Sequence, residues 1–373
     1  MIIDSKENDS NIEEGFMREA LSLALKGKGR TSPNPCVGAV VIKNNQVVGK
    51  GFHRLAGKDH AEIEALKEAG ANAYGADLYV TLEPCNHFGK TPPCCDAIIK
   101  SKIKKVIIGD VDPNPDVNGK GIRFLQDNGI EVRSGVLQKE CQAINLQYNK
   151  WISTKLPYVT LKAAISLDGK IALESGESKW ISNEESRRYV HKLRSETDAI
   201  LVGIGTVVKD DPLLTVRNEE KAYIKKVIVL DENLRIPFSS NLFKRQFGDL
   251  VIATTEAALK NNLKQSEKIA HKLLICETTD NGQLSLPSLL KQLGANGVTS
   301  LLVEGGGKVF SSFVQNGLVD HMVLCIAPKF IGGKGKNFLP EIDFNDLSAV
   351  PRLADFSVKM LGDNLVVEGC LNA

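Results

Sequence analysis

The chain has 373 residues, of which 42% are hydrophobic and 25% charged, and this length predicts two domains because it exceeds one typical core. Its formal net charge of +2 disfavours enzymes that bind nucleic acid by neutralising phosphates, but it permits a small anionic substrate. No apolar run approaches the length of a membrane span, and the polar residues 1–14 lack a secretory signal pattern, so a cytoplasmic protein is predicted.

The first 150 residues predict alternating helices and strands, the pattern of a three-layer α/β domain. The strands at 37–42 and 47–51 are expected to form a hairpin through residues 43–46. The predicted elements are a helix at 15–25, strands at 37–42 and 47–51, a helix from Glu62 to Ala69, a strand at 77–82, a helix at 96–101, a strand at 105–109, a helix at 121–128, a strand at 130–133 and a helix at 141–152.

The most informative motif combines His60-Ala61-Glu62, Pro84-Cys85 after the predicted strand 77–82, and Cys94. Catalytic zinc takes three protein ligands and leaves the fourth position to water, whose pKa falls to roughly neutral. His60, Cys85 and Cys94 are the predicted ligands. Glu62 is the predicted catalytic residue, because a carboxylate two residues from the histidine can move protons to a departing ring amino group without binding the metal.

The spacing places the His-x-Glu pair on the first turn of a helix, because residues two apart in mid-helix point roughly 200° away from each other. Asp59 is the predicted N-cap of this helix, and Gly70 is the predicted end. Cys85 leaves the end of the strand, so both segments are expected to meet at one edge of the sheet.

Two alternatives remain for these cysteines. A closed structural zinc site could take His87 or Cys95 as a fourth ligand, but Glu62 would then have no role. A Cys85–Cys94 disulfide, or ordinary buried thiols, is disfavoured because a cytoplasmic chain is expected to keep its thiols reduced. The cysteines expected to serve only as small packing residues are Cys36, Cys141, Cys276, Cys325 and Cys370.

Eight residues separate Cys85 from Cys94, whereas the cytidine and nucleic-acid deaminase signature has two. The sequence Thr-Leu-Glu-Pro-Cys at 81–85, continued to 95, resembles the bifunctional riboflavin-biosynthesis family, in which a pyrimidine deaminase is fused to a reductase. The resemblance implies a cytidine-deaminase-like three-layer α/β/α domain at 1–150, with Cys94 rather than Cys95 as ligand. The segment 32–35 is similar to the family's substrate loop, so Asn34 is an expected substrate contact.

A domain boundary is predicted between 140 and 157, where a short polar segment ends at Pro157. The second half again alternates strands and helices, as in a doubly wound α/β sheet. The predicted strands are 158–164, 199–202, 226–230, 250–253, 273–276, 301–303 and 321–326, and the predicted helices are 184–194, 286–293 and 309–315.

Two glycine-containing loops follow predicted strands in this half, at 303–307 and 203–206. Glycines that open a helix expose backbone N–H groups to a phosphate, although plain turns explain such glycines equally well. Neither loop has the Gly-x-Gly-x-x-Gly pattern, so a Rossmann dinucleotide site is not predicted. Asp231-Glu232 follows a strand as a ribose-binding acid would, but use in a turn is the favoured interpretation.

The segments 161–170, 178–181 and 210–217 resemble the reductase domain of the same family, which is similar to dihydrofolate reductase and uses NADPH. The resemblance implies a dihydrofolate-reductase-like α/β domain at 151–373 and a homo-oligomer, a dimer or tetramer, formed through it. It implies cofactor contacts at Ala164, Trp180, Thr206, Asp210, Gly306, Gly307 and Lys308, and substrate contacts at Lys162, Ser178, Arg194, Leu214, Arg217 and Glu304.

The resemblance therefore implies two reactions on a phosphorylated pyrimidine. The first is zinc-dependent deamination of 2,5-diamino-6-ribosylamino-4-pyrimidinone 5′-phosphate, and the second is reduction of its ribosyl group to ribityl by NADPH. One alternative is a nucleoside or tRNA deaminase fused to an unrelated nucleotide-binding domain. Another is a zinc-stabilised nucleotide sensor without turnover.

Overall fold

The computed structural model describes residues 5–89, 92–216, 226–245 and 248–372. The chain forms two compact units, Met1–Lys155 and Leu156–Ala373, each with its own large sheet. This division lies inside the interval 140–157 in which the sequence places the boundary, and it follows the helix Leu146–Thr154, which runs through residue 150. Within the described ranges, no helix combines the length and apolarity that a bilayer crossing requires.

The first unit contains a five-stranded sheet of order β2-β1-β3-β4-β5. Strand β1 is antiparallel to β2 and β3, whereas β3, β4 and β5 are parallel. Its elements are α1 (Ser5–Ala24), β1 (Gly38–Lys43), β2 (Gln46–Phe52), α2 (Ala61–Ala69), β3 (Asp77–Leu82), α3 (Cys94–Lys100), β4 (Lys105–Asp110), α4 (Lys120–Asp127), β5 (Glu131–Ser134), α5 (Gln138–Ile144) and α6 (Leu146–Thr154).

Alternating strand residues send apolar side chains to both faces of this sheet. Val41 and Val80 belong to a core cluster completed by α2, α3 and α4. Val40 and Ile107 belong to a second cluster completed by α1 and α5. The predicted three-layer arrangement is therefore confirmed, as is the hairpin of β1 and β2, whose turn residues Asn44 and Asn45 have positive φ.

Two local predictions in this unit are wrong. The single helix predicted at 141–152 is divided into α5 and α6 at Asn145. The buried Asn145 side chain accepts a hydrogen bond from the Cys36 N–H and donates one to the Cys36 carbonyl oxygen. The N-cap of α2 is His60 rather than Asp59. The Asp59 carboxylate forms an ion pair with Lys67 and makes no capping bond.

The second unit contains a nine-stranded sheet of order β11-β10-β9-β8-β12-β6-β13-β16-β15. Its strands are parallel up to β13, and β16 and β15 are antiparallel to their neighbours. Its elements are β6 (Tyr158–Ser166), β7 (Lys170–Ala172), α7 (Glu184–Ser195), β8 (Ala199–Gly203), α8 (Ile204–Asp210), β9 (Lys226–Leu230), β10 (Leu250–Thr254), α9 (Glu256–Asn261), α10 (Leu263–Ile269), β11 (Leu273–Ile275), α11 (Leu286–Ala295), β12 (Ser300–Val303), α12 (Gly307–Gln315), β13 (His321–Ala327), β14 (Lys336–Asn337), β15 (Arg352–Leu361) and β16 (Asn364–Asn372).

Both faces of the parallel part are covered, which confirms the predicted doubly wound α/β arrangement. Leu201 and Val303 belong to a cluster with α11 and α12, whereas Val202 and Val229 pack with α8, α9 and α10. The glycine-containing segment at 203–206 opens a helix, since Gly203 is the N-cap of α8, but α8 itself is absent from the predicted helices. Three strands follow the last strand that the sequence predicts: the short β14, which pairs with β7 in a separate two-stranded sheet, and β15 and β16 of the large sheet.

Candidate active sites

The three predicted zinc ligands converge in the first unit. His60 lies at the N-cap of α2, Cys85 lies in the loop after β3, and Cys94 is the first residue of α3. Their ligand atoms all lie within 4.8 Å of one another. Nδ1 of His60 is 3.2 Å from Sγ of Cys94 and 3.6 Å from Sγ of Cys85, so one cation could contact all three atoms.

This donor set fits a zinc ion with an open fourth position. In the described part of the chain, only these three residues form a cluster suited to holding a metal. Sγ of Cys95 points away, toward the carbonyl oxygens of Pro84 and Gly121 at 3.5 and 3.8 Å. His87 is exposed and lies outside the cluster. The geometry therefore gives no support to a closed structural site.

Two glycines of β2 set the position of the helix that begins beside His60. A Cβ atom built on Gly51 would lie 2.2 Å from the carbonyl oxygen of Ala61, and one on Gly49 would lie 2.3 Å from that of Ala65. Both distances are far below contact distance, so α2 lies directly on the strand backbone. Any side chain at either position would displace the helix.

Glu62 is buried beside the ligands, with 3% of its surface exposed. Burial raises the pKa of its carboxyl group to about 7, so the group can accept and release a proton near neutral pH. A hydrogen bond from the Cys94 thiol lowers the pKa of Cys85 to about 4, and His60 adds to this effect. Cys85 is thus held as a thiolate, the form that binds a cation.

Sequence reasoning missed several groups at this site. His53 is 2% exposed, and its ring meets the ring of His60 edge-on with centroids 5.2 Å apart. Its Nδ1 lies 3.0 Å from the Asp59 carbonyl oxygen, and Nδ2 of Asn34 lies 3.1 Å from its Nε2. This chain of contacts brings the predicted substrate residue Asn34 close to the ligands. The available signal was a histidine directly after the second strand of the hairpin.

The loop after β4 is fastened to the zinc loop by Glu83. This buried carboxylate accepts hydrogen bonds from the backbone N–H groups of Asp112, Gly119, Gly121 and Ile122 at 2.9–3.3 Å. Because Glu83 is two residues from Cys85, the same side chain positions both loops. Asp112 in turn accepts a hydrogen bond from the buried Tyr148 hydroxyl at 3.0 Å.

In the second unit, the structure brings together three of the predicted substrate residues. Arg194 on α7 and Glu304 after β12 form two hydrogen bonds, of 2.6 and 2.8 Å. Burial acts to raise the pKa of Glu304, but the charge and hydrogen bonds of Arg194 outweigh it, and the pKa lies below its usual value. The charge of Lys162, on β6, also lowers this pKa.

Several predicted cofactor residues meet where β8 and β12 end. The hydroxyl of Thr206 lies 3.8 Å from the point where a Cβ atom would stand on Gly306. Gly306 is the N-cap of α12, and Gly307 and Lys308 are its first residues, so unpaired helix N–H groups face this region. The carbonyl oxygen of Asp210 accepts a hydrogen bond from Lys179 at 3.3 Å.

The other predicted residues are less closely grouped. Trp180 is 64% exposed, with the Arg187 guanidinium 4.6 Å from its ring centroid, so it is not the core tryptophan that ordinary packing would give. Leu214 buries its side chain in the core shared with α8, which leaves only its backbone for a ligand. Arg217 lies outside the described residues. Ala164 lies on β6, and Ser178 lies in the loop between β7 and α7.

The two acids after β9 bond backbone N–H groups, and Asp231 does so within the turn that the sequence favours. Asp231 is fully buried and accepts a hydrogen bond from the Ile236 N–H at 2.8 Å. Glu232 accepts one from the Leu284 N–H at 2.8 Å. Asp231 therefore holds the turn that follows it, whereas Glu232 ties the end of β9 to the distant segment at Leu284.

The open His-Cys-Cys cluster and the glycine-lined sheet edge define a two-domain enzyme with a deaminase-type zinc region and a nucleotide-binding unit. Residues 10–110 match the cytidine and deoxycytidylate deaminase zinc-binding region, and residues 157–367 match the RibD C-terminal domain. The chain belongs to the RibD family of riboflavin-biosynthesis proteins, bifunctional enzymes that join a deaminase domain to a reductase domain.

The similarity spans almost the whole chain. The riboflavin biosynthesis protein RibD of Aquifex aeolicus is 43% identical, covering 95% of this chain and 98% of that protein. RibD from Acinetobacter baumannii superposes with a TM-score of 0.88 at 34% identity, over 98% of this chain and 100% of that one. A Thermotoga maritima structure described as a diaminohydroxyphosphoribosylaminopyrimidine deaminase/5-amino-6-(5-phosphoribosylamino)uracil reductase gives 0.85 at 37% identity, over 96% and 99%. A fusion to an unrelated second domain is thereby excluded.

Proposed function

We propose that the first unit deaminates 2,5-diamino-6-ribosylamino-4-pyrimidinone 5′-phosphate and that the second reduces its ribosyl group to ribityl with NADPH. The observation that carries the proposal is the open cluster of His60, Cys85 and Cys94 beside the buried Glu62. The similarity to the Thermotoga maritima deaminase/reductase supports the substrate assignment.

In the deaminase unit, the imidazole and the two thiolates would hold zinc, which supplies a water of lowered pKa when bound. Glu62 accepts the proton of the attacking water and delivers it to the departing amino nitrogen. Its burial supports this role, because a carboxyl with a pKa near 7 exchanges protons readily at neutral pH. Asn34, fixed by His53, would orient the pyrimidine.

In the reductase unit, bound NADPH would supply the hydride that reduces C1′ of the ribosyl group in its imine form, with a proton taken up at the imine nitrogen. The start of α12 and Thr206 would bind cofactor phosphates through N–H and hydroxyl donors. Lys162 lies beside Glu304 in the sheet, because strands β6 and β12 pair at the preceding residues, Leu161 and Val303. Lys162 and Asp210 are proposed to provide the charges around the reacting carbon, with Arg194, Arg217 and Glu304 holding substrate.

The remaining assignments concern organisation. We assign the deaminase to about the first 150 residues and the reductase to the rest, with the division at Lys155. An oligomer formed through the reductase unit is supported by the edge strand β15, which exposes Phe356, Val358 and Met360 by 53–61%. A cytoplasmic location remains a prediction, supported by the need for two reduced thiolates.

A coupled assay with metal analysis tests the proposal. Purified protein is given the diaminopyrimidine substrate, and ammonia and NADPH are followed separately while bound zinc is measured. We expect about one zinc per chain, ammonia release without NADPH, and NADPH oxidation once deaminated substrate is present. Protein that lacks zinc, or that releases no ammonia, would contradict the proposal.

A further inference from the structure

Two lysine ammonium groups converge on one point in the second unit. A Cβ atom built on Gly176 would lie 1.5 Å from Nζ of Lys209 and 3.0 Å from Nζ of Lys336. Lys209 lies in the last turn of α8, and Lys336 lies in β14. Two positively charged groups from segments far apart in sequence therefore lie close together beside Gly176.

The described residues provide no carboxylate that neutralises this pair. Lys209 donates a hydrogen bond to the Ser175 carbonyl oxygen at 3.1 Å, and neither lysine forms an ion pair within the described ranges. By contrast, the nearby Lys334 reaches Glu174 at 3.9 Å. Two adjacent ammonium groups repel each other, so their convergence is favourable when an anion lies between them.

The pair lies beside the loops that lead to the start of α12. Asn337 follows Lys336, and its carbonyl oxygen would be 2.8 Å from a Cβ atom on Gly307. Lys209 is one turn from Thr206, whose hydroxyl faces Gly306. The two lysines therefore flank the N-terminus of α12, a helix of nine residues. The backbone N–H groups of its first turn also favour an anion.

Gly176 makes the convergence possible. Its φ is +80°, and the space that a side chain would fill is taken by the Lys209 ammonium group. An alanine here would be strained and would collide with Nζ. Because Gly176 has no side chain, the Lys209 ammonium group can occupy this space and the backbone can adopt the positive φ of the turn that contains Ser175.

We propose that Lys209 and Lys336 form a phosphate-binding subsite of the reductase unit, which rests on the proposed function of that unit. The phosphate would come from the bound nucleotide cofactor or from the sugar phosphate of the substrate. Both ammonium groups would donate charge-assisted hydrogen bonds to its oxygens.

The experiment compares full-length wild type with Lys209→Met, Lys336→Met and the double variant. Lys260→Met is the matched control, because Lys260 is an exposed lysine paired with Glu256 on α9. Steady-state reduction is measured with NADPH, with NADH and with varied pyrimidine substrate. We expect KM for the ligand that supplies the phosphate to rise roughly tenfold for each lysine, with ammonia release unchanged.

The pattern of KM values identifies the source of the phosphate. A rise for NADPH but not for NADH indicates the 2′-phosphate, and a rise for both indicates the pyrophosphate. A rise for the pyrimidine alone indicates the substrate phosphate. Wild-type KM values for all three ligands in the folded double variant would overturn the subsite and leave the proposed function intact.

A binding measurement keeps the test independent of turnover. Inorganic pyrophosphate is titrated into wild type, the double variant and Lys260→Met by calorimetry. We expect binding by the double variant to be weaker than binding by wild type or Lys260→Met, and to be weakened less by salt, because fewer cations contact the anion. Gly176→Ala, which displaces Lys209 without removing its charge, should weaken binding in the same direction. Equal binding by all four proteins would overturn the proposal.

Discussion

Arg194 and Glu304 bind each other through two hydrogen bonds of 2.6 and 2.8 Å, although the family resemblance implies that both contact substrate. Arg194 also donates to the carbonyl oxygen of Thr215 at 3.1 Å. Both side chains are largely buried, so the pair joins α7 to the end of β12. A ligand at this site would meet a guanidinium already oriented by its carboxylate partner.

Removing Arg194 should therefore destabilise the reductase unit. Arg194→Met leaves the Glu304 carboxylate buried without its partner, which costs about 3–5 kcal/mol for a buried pair. Urea unfolding should show this loss, whereas Arg188→Met, at an exposed pair with Glu184, should change the free energy of unfolding by less than about 1 kcal/mol. Equal stability of the two variants would show that the buried pair is not structural.

The same pair predicts a pH dependence with a defined sign. The pKa of Glu304 is lowered in the folded protein, so its stabilising effect is complete above the ordinary glutamate pKa of about 4.3 and is lost as pH falls through the lowered value. The difference in unfolding free energy between wild type and Glu304→Gln should shrink on acidification below about pH 4. A difference that grows toward low pH would contradict this assignment.

The adjacent cysteines Cys94 and Cys95 should differ in their effect on metal content. Cys94→Ser removes a ligand of the cluster, so we expect zinc to be lost together with ammonia release. Cys95→Ala removes a thiol that faces the carbonyl oxygens of Pro84 and Gly121, so zinc should be retained. Metal analysis of both purified variants is the measurement. Loss of zinc from Cys95→Ala alone would reverse the ligand assignment.

Glu62→Gln should separate metal binding from catalysis. The amide has nearly the same shape but cannot accept the proton of water, so ammonia release should fall by about 10²–10⁴-fold while zinc remains bound. NADPH oxidation with the deaminated substrate should proceed at the wild-type rate and serves as an internal control. Ammonia release at the normal rate would exclude Glu62 as the proton carrier.

Glu83→Gln tests the link between the two loops of the deaminase unit. An amide replaces one acceptor oxygen with a donor that faces backbone N–H groups, so we expect a loss of about 2–3 kcal/mol in the free energy of unfolding. Glu140→Gln, at an exposed position on α5, is the matched control and should change stability by less than about 0.5 kcal/mol. KM for ammonia release should also rise in Glu83→Gln, and an unchanged value would confine Glu83 to a structural role.

The sequence predicts the central elements well where its apolar pattern is regular. Strands β3, β4, β9 and β12 are short apolar runs, and each was placed to within about a residue. Strand β15 was missed because its register shifts between Ala354 and Ser357, and Asp355 has a positive φ, which interrupts the period of two. Helix α8 was missed because its seven residues begin with Ile204-Gly205, too short a segment to show helical periodicity.

The candidate sites could be predicted in part for similar reasons. His60, Cys85 and Cys94 were identified because metal chemistry restricts the types of residue at a ligand position. His53 and Glu83 were not, because a buried histidine and a buried carboxylate carry no sequence mark of what they bond. The pairing of Arg194 with Glu304 depends on contacts between distant segments, which spacing along the chain does not specify.

The close packing of α2 on β2 restricts which residues can occupy two positions of β2. Gly49 and Gly51 are not among the zinc-ligand residues and have no side chain, yet this lack of side chains fixes how near the helix bearing Glu62 can come. A single added methyl group there would push the proton carrier and its neighbouring imidazole outward together. Substitutions at these two glycines are therefore expected to impair deamination without changing any predicted zinc ligand.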